Sequence, residues 1–310
     1  MAKNTKILKS KNAFNLVEMS FLITIVSILI IATTQGSRLI YEMRLETARN
    51  ITRNSPINSI KDMVLWLEPT LADSFDSKVE NNNKIAFWKD NSTHLTTQIR
   101  AQQTNPTLQP TYIREGINRL PTIKFENSML QIDNFTIGAD HTIFVVFQVL
   151  SESISTGATF LTLSNNNSYG LIFEVAGSSG AIGKNRTLRS LYRFPFGNNT
   201  GDGDQNYSNS NFLINSLTSY FAGYTRNFSG AKIFNFYLNG NLVNENSLNV
   251  VTNPEFASAT SLIIGCSLPT ICNNPFKGYI SEIIIFNRSL ISNEINDIHN
   301  YLSKKYAIKI

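Results

Sequence analysis

The sequence predicts an all-β sandwich or barrel with one C-terminal helix, preceded by a long N-terminal transmembrane helix, and three observations carry that prediction. From about residue 60, short aromatic and β-branched runs alternate with Asn, Gly and Ser clusters, as many short strands do. Met19–Ser37 holds no charged residue. Ile291, Ile295, Ile298 and Leu302 recur at spacings of three and four, the stripe of an amphipathic helix.

Composition narrows the class. With 310 residues, 42% hydrophobic and 16% charged, the chain has enough apolar content to bury a core and is not a disordered polyelectrolyte. The net charge of +5 sits at the N-terminus: Lys3, Lys6, Lys9 and Lys11 precede residue 14, and residues 14–310 carry 23 basic and 22 acidic groups. A near-balanced folded part offers no basic patch for phosphates, so nucleic acid is not an expected partner. The 38 Asn residues are spread along the chain and read as compositional bias rather than a functional tract.

In chain order, the first element is a basic leader over 1–13 and the second a helix over 14–53. Nineteen charge-free residues at about 1.5 Å each reach about 28 Å, close to the bilayer hydrocarbon thickness. FLITIVSILIIA at 21–32 is apolar on every face, whereas a core helix keeps a polar stripe. The run also exceeds the apolar core of a secretory signal and continues into the charged stretch SRLIYEMRLETARN. Four lysines on the N-terminal side keep that end cytoplasmic and send the rest across the membrane. Glu18 lies one turn inside the apolar segment, where a carboxylate costs about 1–3 kcal/mol unless paired. A cut after Ala13 would place the amine of Phe14 four residues before it.

Those residues carry a resemblance. Lys9-Ser10-Lys11-Asn12-Ala13-Phe14-Asn15-Leu16-Val17-Glu18-Met19 resembles the leader and cleavage site of type IV prepilins and pseudopilins. The resemblance covers about residues 3–50. It implies that a prepilin peptidase cuts between Ala13 and Phe14 and methylates the Phe14 amine, and that Glu18 neutralises a neighbouring subunit's N-terminus in a filament. Two departures stand out: Ala13 replaces the usual Gly before the cut, and no proline precedes Pro56, which fits a minor pilin or pseudopilin better than a major pilin.

Arg38, Glu42, Glu46 and Arg49 alternate in sign along the rest of that helix, as a solvated face does. Asn54-Ser55-Pro56 ends it, and 54–62 reads as a linker to a sandwich over 63–310. The strand runs are MVLWL, IAFW, TIKF, TIFVVFQVL, TFLTL, GLIFEVA, SYFAGY, KIFNFYLNG, SLIIG and YISEIIIF. Asn239-Gly240 follows an alternating run and predicts a tight hairpin. Ser292 is placed to cap the final helix, with Glu294 in its first turn. Cys266 and Cys272, beyond the membrane and so in an oxidising compartment, predict a disulfide closing a short loop.

The order of these pieces resembles the laminin-G-like, concanavalin A-like jellyroll family across most of 63–306. It rests on Val64-Leu65-Trp66-Leu67-Glu68, Phe87-Trp88-Lys89-Asp90-Asn91-Ser92, Leu120-Pro121-Thr122-Ile123-Lys124-Phe125, Phe236-Tyr237-Leu238-Asn239-Gly240 and the closing Phe276–Arg288 stretch with its helix. That resemblance implies a domain that binds glycans or extracellular proteins, in some members with calcium on a loop rim.

No catalysis is expected. His94, His141 and His299 lack metal-ligand spacing, no phosphate-binding loop occurs, and no strand alternates carboxylates as a sugar-cleaving cleft requires. No cofactor is required by this reading. Calcium is a possible ligand of the loop around Asp202 and Asp204, rich in the oxygen ligands that calcium takes, although a plain polar hairpin accounts for the same residues. Tyr192, Phe194, Phe196, Tyr207 and Tyr224 lie near that loop and form a candidate platform for a sugar ring. The expected function is thus a pilin-like or pseudopilin subunit of a type IV pilus or secretion filament, displaying a lectin-like sandwich that binds a glycan or surface protein. Its partners would be the prepilin peptidase, other pilin-like subunits and the membrane through 14–37. It would sit in the inner membrane with its N-terminus cytoplasmic, and then in a periplasmic filament or surface pilus. The alternative is a membrane-anchored lectin-like or hydrolase-related protein outside any filament.

Overall fold

The structure is a computed structural model and describes residues 15–92, 99–150, 157–165, 168–177, 185–192, 205–208, 211–248, 260–268 and 272–310. It divides into two compact units, Met1–Glu46 and Thr47–Ile310. Helix α1 runs Leu16–Arg53. Its apolar part is exposed at every residue from 15 to 35.

The second unit is a sandwich of two eight-stranded antiparallel sheets. The strands are β1 (Met63–Leu67), β2 (Phe87–Lys89), β3 (Arg100–Gln102), β4 (Thr111–Ile113), β5 (Thr122–Phe125), β6 (Leu130–Ile132), β7 (His141–Val149) and β8 (Gly157–Asn165). They continue as β9 (Ser168–Ala176), β10 (Leu188–Tyr192), β11 (Gln205–Tyr207), β12 (Ser219–Asn227), β13 (Ile233–Leu238), β14 (Asn241–Ser247), β15 (Ser261–Ile264) and β16 (Gly278–Phe286). One sheet has the order β14-β13-β12-β7-β16-β5-β4 with β1 against β16; the other has β11-β10-β9-β8-β15-β6-β3-β2.

Period-two patterning sets the faces. In β13 the apolar Phe234, Phe236 and Leu238 are buried while Ile233, Asn235 and Tyr237 are half-buried; the inward set packs in the main core. Asn239 and Gly240 both take positive φ, 46° and 81°, the geometry of the tight hairpin that joins β13 to β14. Between the sheets, Phe147 of β7 meets Phe160 of β8 with ring centroids 4.4 Å apart, at the short limit of favourable aromatic pairs.

The first sheet is apolar on both faces, and its outer face makes a second core. Trp66, Phe144, Val146, Phe221 and Ile284 pack there against Ile295, Ile298 and Leu302 of helix α2 (Ser292–Tyr306). This is the amphipathic stripe of the C-terminal helix in place. The start differs from expectation: Ser292 is the first helical residue rather than the cap. Glu294 accepts the Ile291 N–H at 3.1 Å and is gripped by Arg288 at 2.8 and 2.5 Å, so a carboxylate at the third helical position does the capping. Arg49 is likewise not part of a solvated face, because its Nε donates to the Thr70 carbonyl at 2.8 Å. Arg38 and Glu42 do form an exposed pair at 2.9 Å.

Candidate ligand-binding site

With α2 packed on the outer face of the first sheet, that face has no room for a ligand at its centre. The outer face of the second sheet is different in chemistry. Leu171, Phe173 and Val175 of β9 point into the core, so Glu174 points outward, and the register pairs it with Thr159 on one side and Arg189 on the other. Arg189 Nη2 donates to Glu174 Oε1 and Thr159 Oγ1 donates to Oε2 at 3.1 Å. Arg189 is in turn paired with Tyr207 of β11, whose hydroxyl hydrogen-bonds the guanidinium. Burial pushes the Glu174 carboxyl up despite Arg189. Burial also opposes the charge on Arg189, but the adjacent Glu174 holds the guanidinium above its ordinary value.

The sequence-derived candidates fall in several places. Tyr207 is half-buried beside Arg189. Tyr192 and Tyr224 are a correction: both are buried and belong to the main core, because strand alternation turns them inward with Leu188 and Ala222. There they surround His141, whose Nε2 lies 2.6 Å from the Tyr192 hydroxyl and 3.2 Å from that of Tyr224. Burial first, then the Arg226 charge, push His141 down to about 3, so the ring is neutral. Phe194, Phe196, Asp202 and Asp204, and with the last two the calcium expectation, lie outside the described residues. So do Ala13 and Phe14. Among the described residues no three His, Cys, Asp or Glu side chains gather as a metal site. Cys266 and Cys272 are joined by a disulfide, Cα atoms 5.1 Å apart, packed with Met129 and Ile263.

Helix α1 is long and apolar enough to serve as a membrane anchor or a signal segment. Every hydroxyl in the charge-free run bonds back to its own helix: Ser20, Thr24, Ser27, Thr33, Thr34 and Ser37 each donate to a carbonyl three or four residues earlier. A helix built this way leaves none of these hydroxyls unpaired where lipid would surround it. Glu18 is exposed and accepts the Asn15 N–H at 3.1 Å.

A second charged cluster escaped sequence reasoning altogether. Lys305 of α2 lies 2.7 Å from Glu68 and 3.0 Å from Glu282, with all three side chains wholly buried. Trp66, Tyr301 and Tyr306 donate to Glu282 at 2.6, 2.8 and 2.8 Å. The partners of Glu282, itself on β16, come from β1 and α2, and Thr52 stands 3.4 Å from the Tyr301 hydroxyl. This cluster fastens elements together and presents nothing to a ligand. Glu174 had a local signal, a lone carboxylate inside the apolar run GLIFEVA; Lys305 and Glu68, far apart in the chain, had none.

No curated protein matches the chain by sequence. In structure it is similar to the binding domain of Paraclostridial Mosquitocidal Protein 1, with 17% identity and a TM-score of 0.54 over 79% of this chain and 52% of that one. It is also similar to the botulinum neurotoxin serotype D binding domain, with 13% identity and a TM-score of 0.50 over 78% and 53%. The chain thus spans about half the length of these two structures, and the likeness is one of fold. The family model of the concanavalin A-like lectin/glucanases superfamily, of the laminin-G type, matches residues 130–296. That match takes in β6 to the first turns of α2, more than half of the chain, and the protein belongs to this superfamily.

Proposed function

We propose that the protein is a pilin-like or pseudopilin subunit that displays a lectin-like sandwich for binding a glycan or surface protein. One observation carries the reading: a helix exposed throughout its apolar run, with every hydroxyl satisfied internally, is joined to a sandwich of a lectin superfamily. Such a helix has to be covered by lipid or by other helices. A prepilin peptidase cuts between Ala13 and Phe14, and the new amine lies next to Glu18 of a neighbouring subunit as the helices gather. In this reading the N-terminus is cytoplasmic and the sandwich is exported, first at the inner membrane and then on a filament.

Binding is the sandwich's task, without chemistry of its own. The fold is shared with two domains described as binding domains. The assembly half is tested by shearing filaments from cells that express the wild-type chain or Glu18→Ala. The wild type is expected in the sheared fraction and the variant only in the membrane. Equal recovery of both in the membrane fraction, with none sheared, would leave an anchored lectin-like protein instead.

A further inference from the structure

We propose that the loop over 211–218, at one end of the sandwich, docks on the surface of an anionic bilayer through Phe212, Leu213 and Leu217. This rests on reading α1 as a membrane helix.

No charged residue occurs from Gln205 to Thr225, and within that run Phe212, Leu213 and Leu217 are 40, 42 and 68% exposed. The loop that holds them out is fixed to both sheets. The buried Ile214 donates its N–H to the Arg186 carbonyl at 2.8 Å, and Arg186 Nε donates back to the Ile214 carbonyl at 2.7 Å. Three residues on, the Leu217 N–H donates to the Val149 carbonyl at 2.8 Å, and Gln148 Nε2 donates to the Leu217 carbonyl at 2.7 Å. The first pair of bonds ties the loop to the segment leading into β10 of the second sheet, the other to the end of β7 in the first. Leu217 takes φ 58°, a region that Gly and Asn enter readily and a branched apolar residue seldom does. A strained backbone that keeps a leucine in solvent points to a use for that side chain.

Area and charge select the partner. Three partly exposed side chains offer on the order of 300 Å², well below the roughly 800 Å² that each side of a stable protein interface buries. A bilayer needs no matching surface, because isolated Phe and Leu side chains enter its interface and affinity grows with apolar area and with attraction to anionic lipid. Cations flank the loop. Arg186 Nη2 donates to the Asn215 side chain, and the exposed Lys277 stands at the same end, its carbonyl accepting the Leu150 N–H at 3.0 Å. Glu126 is paired with Lys124 at 2.7 Å and Glu174 with Arg189, so among the described residues Arg186 and Lys277 leave this end positive. So small a contact is weak by itself, and it suffices for a domain already tethered to the same bilayer by its helix.

The test uses the full chain in lipid nanodiscs of phosphatidylcholine, with or without phosphatidylglycerol, carrying Phe212→Trp as a reporter. Trp66 and Trp88 are buried and give a constant background. Brominated acyl chains should quench the reporter chain at least twofold more than its parent, and more strongly with the anionic lipid present. Leu217→Asn, added to the reporter, should remove the extra quenching while the melting temperature stays level or rises, since Asn suits a positive φ. Equal quenching of reporter and parent would overturn the lipid contact. Quenching untouched by Leu217→Asn, with a lowered melting temperature, would make Leu217 part of the fold and overturn its role at the bilayer. Equal quenching with and without anionic lipid would overturn the part given to Arg186 and Lys277. Loss of the chain from the nanodiscs would overturn the membrane reading of α1, and this proposal with it.

Discussion

Lys305 and Glu68, separated by 237 residues in the chain, meet at 2.7 Å with neither side chain exposed. With Glu282 on its other side, the ammonium of Lys305 is the cation between two buried carboxylates. Burial works against the charge on Glu68, and the Lys305 ammonium with bonds from Thr70 and Leu71 overrides it, so the carboxyl is held below its ordinary value. Lys305 is held above its own: burial opposes it, and the two carboxylates prevail.

Lys305→Met should therefore be among the most damaging single substitutions. It leaves two buried carboxylates facing each other without a cation, and removing one member of such a cluster costs about 3–5 kcal/mol. Thermal unfolding should show the loss. A variant within 1 °C of the wild type would mean that the cluster is worth nothing. Because Glu68 is depressed, its contribution is present above pH 4.5 and is lost as pH falls through its folded value; that of Lys305 is present below pH 10.5 and is lost as pH rises through its folded value.

His299 predicts acid sensitivity. Its ring is enclosed by Phe144, Phe221 and Tyr237, neither nitrogen has a partner among the described residues, and burial pushes it down from 6.5 to about 4. A base depressed by folding stabilises the fold above its unfolded value, and this is lost as pH falls from 6.5 towards 4, an effect of about 3 kcal/mol. His299→Leu should flatten the decline in melting temperature between pH 7 and 4. An unchanged slope would place the acid sensitivity elsewhere, with His141 the next group to examine.

Gly223 has no room for a side chain. A Cβ there would lie 2.5 Å from the Ile143 carbonyl oxygen and 2.3 Å from the Phe144 ring, so strands β12 and β7 would have to part. Gly223→Ala should cost about 1–3 kcal/mol, as overpacking does. A melting temperature equal to the wild type would show that the two strands adjust freely.

Tyr192 and Tyr224 act within the core and not on a ligand. Tyr192→Phe and Tyr224→Phe each remove a hydroxyl bonded to the buried His141, and each should lower stability by about 1 kcal/mol. Sugar affinity should be unchanged in both. A tenfold loss of affinity at full stability would return these tyrosines to the binding site.

Much of the sandwich is legible because its long strands are strongly patterned. TIFVVFQVL, GLIFEVA and YISEIIIF lie in β7, β9 and β16, since apolar runs of that length have no other home. The three-residue strands β3, β4, β6 and β11 are too short to show a period, and β14, NLVNENS, is polar because it is an edge. Tyr192 and Tyr224 show the limit on the site. Closeness to a polar loop in sequence does not say which face of a strand a side chain takes, whereas alternation with Leu188 and Ala222 does. Helix α1 is legible from composition alone, and the internal bonding of the six hydroxyls in its charge-free run is visible only in the structure.

The central claim is that this sandwich is carried on a processed assembly helix, and the mass of the N-terminal peptide of the chain extracted from membranes tests it most directly. The account predicts a chain that begins at Phe14 with a methylated amine and keeps Glu18 and the apolar run that follows. A chain beginning at Met1, or one cut beyond the apolar run, would contradict it.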